Sequence, residues 1–217
     1  MQYFFANLKS HMTLQEGKKW LNNFMSLNFP QNRKVVVCPP FTLLPIFNAS
    51  GLSLCAQNIS PYPEGEYTGE ISASMLKDLA EYVLIGHSER RKLFFEKTED
   101  INNKLTQAKE NNLAPLLGIS VASEINGSLD IIKSFEKPFI LYEPSFAIGT
   151  GNPDTLENAA KICQNIKLKL PACRFLYGGS ISAENISQFS GKDCIDGVVV
   201  GKNSLDPLHF FEIVKNG

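Results

Sequence analysis

No stretch of this chain approaches the ~20 consecutive apolar residues that a membrane span requires. Its first apolar run, Tyr3 to Ala6, is cut short by Asn7 and Lys9, so neither a spanning helix nor a secretory leader is expected. An excess of either charge is also missing. The 21 Lys and Arg stand against 22 Asp and Glu, for a net of −1, which leaves no broad basic surface for nucleic acid or an anionic membrane. Any anion site must therefore be local. The five cysteines, Cys38, Cys55, Cys163, Cys173 and Cys194, are odd in number and include no Cys-x-x-Cys pair. That argues against a disulfide framework or a zinc cluster and favours a reducing cytoplasm. There is no low-complexity segment and no repeat beyond an alternation of strands and helices.

What is present is enough chain for one substantial core, 217 residues, read as a single domain over 1–217. Short β-rich runs recur at Tyr3–Ala6, Val35–Cys38, Leu52–Ala56, Tyr82–Ile85, Ala114–Leu117, Phe139–Tyr142, Phe175–Tyr177 and Val198–Val200, with helical patterns between them. Such alternation implies parallel strands, whose crossovers are right-handed, and eight such units can close into an α/β barrel. Helix starts are signalled by Thr13 with Glu16 as a capping box, by Ser182 ahead of Ala183-Glu184, and by Asp206-Pro207. In the first helix Leu14, Lys18, Leu21 and Met25 share roughly one face with Trp20 and Phe24 beside it, and the aromatics are read as core. Gln57 to Glu70, with Pro61, Pro63, Gly65 and Gly69, reads as a long projecting loop.

The most informative stretch is Tyr82-Val83-Leu84-Ile85-Gly86-His87-Ser88-Glu89-Arg90-Arg91, a buried strand that delivers a histidine to a helix start. Burial and the positive end of the helix both disfavour protonation there, so the imidazole can polarise a carbonyl without carrying charge. Asn7-Leu8-Lys9 follows the first strand, and Leu141-Tyr142-Glu143-Pro144 the sixth. Ile148-Gly149-Thr150-Gly151, Tyr177-Gly178-Gly179-Ser180 and Asp196-Gly197-Val198-Val199-Val200-Gly201 complete the series in order.

Taken together and in this order, these segments resemble the triosephosphate isomerase family from the first strand to the last helix. The resemblance implies a single (β/α)8 TIM barrel with its site at the C-terminal ends of the strands. It implies an aldose-ketose isomerase that interconverts dihydroxyacetone phosphate and D-glyceraldehyde 3-phosphate through an enediolate, without metal or other cofactor, in cytoplasmic glycolysis and gluconeogenesis. On that pattern Glu143 is the base and neutral His87 the electrophile; this division of labour is the established one for triosephosphate isomerase, carried over to these two positions by the match of their segments. Lys9 supplies fixed positive charge and Asn7 orients the carbonyl oxygen. Gly149, Ser180, Gly201 and the amide of Lys202 cradle the phosphate, and 144–153 is a lid that excludes water and protects the enediolate. Glu89 supports the site through Lys9, with Glu96 in its supporting shell, whereas Arg90 and Arg91 read as structural partners of carboxylates. The Tyr67-Thr68-Gly69-Glu70 loop resembles the arm through which one subunit of a homodimer reaches its neighbour, with Thr68 as the contact.

The chain departs from the family pattern at several points. Lys202 stands where a small residue is common beside the phosphate, and Leu8 and Phe146 stand in place of tryptophans. Phe95 occupies a place usually held by glycine. After the fifth strand a Cys-x-Gly-Glu type segment is replaced by Gly118-Ile119-Ser120-Val121, and the next helix is abbreviated to roughly Ser128–Phe135. The connection between strands five and six is thus shortened, and the chain is short against ~250 residues for typical barrels. Three alternatives carry less weight. A metal-dependent epimerase on the same fold is disfavoured by the supply of histidines, His11, His87 and His209, and a Schiff-base aldolase by the lack of a matched lysine other than Lys9. A non-catalytic binding barrel is disfavoured by the joint presence of base, electrophile, lid and phosphate loops.

Overall fold

The computed structural model describes residues 1–192 and 194–217. Eight strands pair in parallel: β1 Gln2–Asn7, β2 Arg33–Cys38, β3 Cys55–Ala56, β4 Tyr82–Ile85, β5 Ala114–Ile119, β6 Phe139–Tyr142, β7 Arg174–Tyr177 and β8 Gly197–Val200. They lie in the order β2-β1-β8-β7-β6-β5-β4-β3. The two ends of that order meet through a parallel bridge between Val37 and Leu54, so the sheet curls into a nearly closed TIM barrel.

Alternation along each strand divides the core in two. Phe5, Val36, Leu84, Leu116, Leu141 and Leu176 fill the barrel interior, while Phe4, Val37, Val83, Leu117, Ile140 and Phe175 turn outward and pack with the helices. Edge-to-face pairs Tyr3–Phe139 at 5.0 Å and Phe5–Tyr82 at 5.5 Å plug the interior. At the β1–β8 seam a Cβ on Gly197 would lie 2.1 Å from the Tyr3 carbonyl oxygen, which is why a residue without a side chain stands there.

The outer helices are α1 Leu14–Met25, α2 Leu44–Asn48, α3 Ala73–Leu76, α4 Ser88–Leu93, α5 Thr98–Glu110, α6 Leu129–Ile132, α7 Leu156–Lys169, α8 Ile186–Phe189 and α9 Pro207–Asn216, with 3-10 turns at Ala122–Ser128 and Lys202–Ser204. The capping box at Thr13 and Glu16 is present, and Asp206 caps α9 by accepting from the N–H groups of Leu208 and His209. Among the described residues no helix is long and apolar enough to cross a membrane.

Several expectations need correction. The buried face of α1 is Gly17, Trp20, Leu21 and Phe24, whereas Leu14 and Met25 are each 50% exposed. Trp20 and Phe24 are core, as expected, and orient the helix by packing on Phe47 of α2 at 5.6 Å and Phe210 of α9 at 6.5 Å, which leaves both ends of the aliphatic stripe in solvent. Ser182 does not start a helix. Its N–H donates to Asn185 Oδ1 at 2.9 Å in a turn, and α8 begins after Asn185. The segment expected as a strand from Leu52 is reduced to Cys55–Ala56 plus the bridge at Leu54. The helix expected over Ser128–Phe135 is a 3-10 turn followed by the four-residue α6, so the link between β5 and β6 is shortened as anticipated, in a different form. Cys163 of α7 is joined to Cys194 ahead of β8, 31 residues away, a single pair where the sequence argued against a disulfide framework.

Candidate active site

The strands deliver the functional side chains to one rim. Asn7 ends β1, His87 follows β4, Glu143 directly follows β6, Ser180 follows β7 and Gly201 directly follows β8. Together with Lys9, Gly149 and Lys202 they line a single cleft of about 400 Å³, a volume suited to a small polar molecule. Every expected site residue is brought there except Glu89, which reaches the rim through Lys9, and Thr68, which does not line the cleft.

At the β1 corner the backbone of Lys9 is left-handed, with φ at 50°, an uncommon conformation for a residue with a side chain. Neighbouring bonds hold it there: the Lys9 N–H donates to Asn7 Oδ1 at 3.1 Å, and Gln57 Nε2 donates to the carbonyls of Lys9 at 2.9 Å and Cys38 at 2.7 Å. The Lys9 ammonium forms an ion pair with Glu89. Asn7 is buried, and Ser204 Oγ donates to its carbonyl at 3.3 Å.

His87 is the N-cap of α4, and its Nδ1 accepts from the Glu89 N–H at 3.2 Å. That bond leaves the ring proton on Nε2, which lies 2.8 Å from Glu143 Oε1. Glu143 Oε2 accepts from the Ser88 N–H at 2.9 Å, and the Glu143 N–H is anchored on the Ile119 carbonyl at 2.8 Å. Both side chains are at least nine-tenths buried. For His87, burial lowers the pKa while the adjacent Glu143 carboxylate raises it, and in this arrangement it is raised from 6.5. For Glu143, burial raises the pKa, but His87, the Ser88 N–H and Lys9 bring it below 4.5. The carboxylate is therefore ionised at neutral pH. Glu143 is the main group that raises His87, with Glu89 adding to it and burial and Lys9 opposing it.

The loop over 144–153 bends over the cleft and is tied to it. Ser180 Oγ donates to the Ala147 carbonyl at 2.6 Å and accepts from the Gly151 N–H at 3.1 Å. Gly149 and Ser180 have φ of 71° and 50°, left-handed backbone at two points that line the cleft. Asn185 Nδ2 donates to the Ser180 carbonyl at 2.9 Å, and Asn203 Nδ2 to that of Ile181 at 2.7 Å. Both asparagines also line the cleft. Neither stands out in the sequence, since an asparagine in a turn carries no distinguishing local signal.

The arginines divide. Arg90 pairs with Glu96, as expected for a carboxylate partner, and Glu96 also pairs with the buried Lys104. Arg91 instead donates to the carbonyls of Gly86 at 2.8 Å and Gly118 at 3.0 Å, bracing the strand ends beneath His87. The projecting loop is self-bonded, with Tyr62 and Tyr67 stacked at 4.6 Å and Thr68 exposed.

Comparison with known proteins agrees with this geometry. The family model described as Triosephosphate isomerase matches residues 2–217. Among curated relatives, the triosephosphate isomerase of Mesomycoplasma hyopneumoniae (strain 7448) is 34% identical, with 97% of each chain covered. That of Aquifex aeolicus is 34% identical with 96% of each chain covered. That of Synechococcus sp. (strain CC9311) is 36% identical over 96% of this chain and 95% of its own.

Proposed function

The chain belongs to the triosephosphate isomerase family and is an isomerase; from that premise we propose that residues 1–217 act as one barrel domain that interconverts dihydroxyacetone phosphate and D-glyceraldehyde 3-phosphate. The observation that supports the mechanism is the 2.8 Å contact between Glu143 Oε1 and His87 Nε2, which favours reading Glu143 as the base and His87 as the donor.

Glu143 turns from His87 and Ser88 to the substrate and takes a proton from C1 of dihydroxyacetone phosphate. The electron pair of that C–H bond forms the C1–C2 double bond, and the charge moves to the carbonyl oxygen. His87 Nε2–H donates to the substrate oxygens and Lys9 neutralises the developing charge, while Asn7 orients the oxygen. The O1 hydroxyl proton is passed to O2 through His87 Nε2, and as the O1 electron pair re-forms a carbonyl at C1 the C1–C2 double bond takes the proton back from Glu143 at C2, which gives the aldehyde. A positioned base contributes ~10² to 10⁴ in rate, so electrostatics and closure carry the larger share.

The phosphate is held by backbone N–H groups at Gly149, Ser180, Gly201 and Lys202, which line the cleft. The 144–153 loop is the lid, and Glu89 positions Lys9. The setting is glycolysis and gluconeogenesis in the cytoplasm, following the family, and the 57–70 loop carries Thr68 into the neighbouring subunit of a homodimer. The test is conversion of glyceraldehyde 3-phosphate by chelator-treated protein. Fast turnover supports the reading, and a folded protein without activity overturns it.

A further inference from the structure

Asp154, 8% exposed, sits just past the proline-bounded loop, where the isomerisation has no use for its carboxylate. Its Oδ2 accepts from the Tyr142 hydroxyl at 2.9 Å and from Asn158 Nδ2 at 2.6 Å, and its Oδ1 accepts from the Thr155 N–H at 2.7 Å. Its own N–H donates to the Tyr177 hydroxyl at 2.7 Å. Tyr142 and Tyr177 are register partners on β6 and β7. One residue thus ties the exit of the loop to the ends of two adjacent strands, and Tyr142 is the residue immediately before Glu143. At the loop's other end Phe146 is 61% exposed and presents a ring with no polar atom.

We propose that the Tyr142 hydroxyl and the Asp154 carboxylate form the latch that holds the C-terminal end of the lid over the reacting carbons. Asp154 is a positioning residue in this account, and the proposal rests on the isomerase and lid reading above. A hydrogen bond from a hydroxyl to a carboxylate is stronger than a neutral one, more so where water is scarce. A bond between the lid's exit and a fixed strand end favours the closed arrangement over an open one by whatever that bond is worth.

The test is product partition in Tyr142→Phe, Asp154→Ala and the double variant, read as inorganic phosphate released per isomerisation. Elimination breaks the C3–O bond of the enediolate; its electron pair leaves with the phosphate, so no further reactant is needed. Each single variant is expected to raise the eliminated fraction about tenfold, with kcat changing more than KM. The double variant should be no worse than Asp154→Ala, because the bond that Tyr142→Phe removes is already lost there. Unchanged partition in folded variants, or effects that multiply in the double variant, would overturn the latch. Hydrogen exchange at the Gly149 to Gly151 amides needs no turnover: faster exchange in Tyr142→Phe than in the unaltered protein supports the latch, and equal exchange overturns it. If the unaltered protein lacks isomerase activity, the functional reading falls and this exchange comparison alone decides the latch.

Discussion

His87 and Glu143 are each other's hydrogen-bond partners, Nε2 to Oε1 at 2.8 Å, while a backbone N–H occupies the remaining nitrogen of the ring. The carboxylate that raises the histidine is thus the same group that the proposed mechanism takes as its base.

Linkage fixes the sign of the resulting pH dependence. The raised pKa of His87 gives stability that is fully present below 6.5 and lost as pH rises through the folded value. The lowered pKa of Glu143 gives stability present above 4.5 and lost as pH falls through its folded value. The pair therefore contributes most between pH 4.5 and 6.5. Glu143→Gln should flatten that part of a denaturant stability profile and move the ¹⁵N titration of His87 to lower pH. A titration at the same or higher pH would contradict the assignment of cause.

Lys9→Met removes the cation beside both reacting groups while keeping the stem. Loss of one preorganised electrostatic group costs ~10² to 10³ in kcat/KM, and steady-state assays with folded variant protein measure it directly.

Lys202 lines the cleft with an exposed side chain, so its ammonium adds long-range attraction for a dianion, screened by salt. Lys202→Met should raise KM roughly two- to fivefold, the size of an exposed charge interaction. It should leave kcat nearly unchanged and weaken the dependence of KM on ionic strength. Identical KM and salt dependence would assign the phosphate to backbone N–H groups alone.

Phe95 is 78% exposed with φ at 56°, a left-handed position held by a side chain that disfavours it. Relief of that conformation is worth ~1–2 kcal/mol, and glycine's extra freedom when unfolded takes back ~0.5–1 kcal/mol. Phe95→Gly should therefore leave stability unchanged or raise it by up to about 1.5 kcal/mol in denaturant unfolding, and a loss of stability would contradict this.

How far the sequence could be read follows from the range of each signal. β4 and β6 were legible to the residue, because fully buried parallel strands read as short apolar runs between turn residues. Asn7, Glu143 and Gly201 were legible at the rim because each ends or directly follows a strand, whereas Lys9, His87, Gly149, Ser180 and Lys202 lie further into the loops and were read from the family resemblance. In α1 the core role of Trp20 and Phe24 was legible, but the exposure of Leu14 and Met25 was not, because only packing of the aromatics on Phe47 and Phe210 decides it. The Cys163–Cys194 bridge and the Asp154–Tyr142 bond join residues 31 and 12 positions apart, contacts made by the fold and not by any local pattern. Arg91 reads as a partner of carboxylates because nothing in its neighbours marks the carbonyls of Gly86 and Gly118 as converging beside it.

The most direct test of the central claim is kcat for Glu143→Gln, measured beside the unaltered protein from a parallel preparation with glyceraldehyde 3-phosphate. The account predicts a fall of at least ~10² to 10⁴, with KM little changed and the fold intact by circular dichroism. Turnover within a few-fold of the unaltered protein would show that another group takes the proton and that the 2.8 Å pairing with His87 is structural.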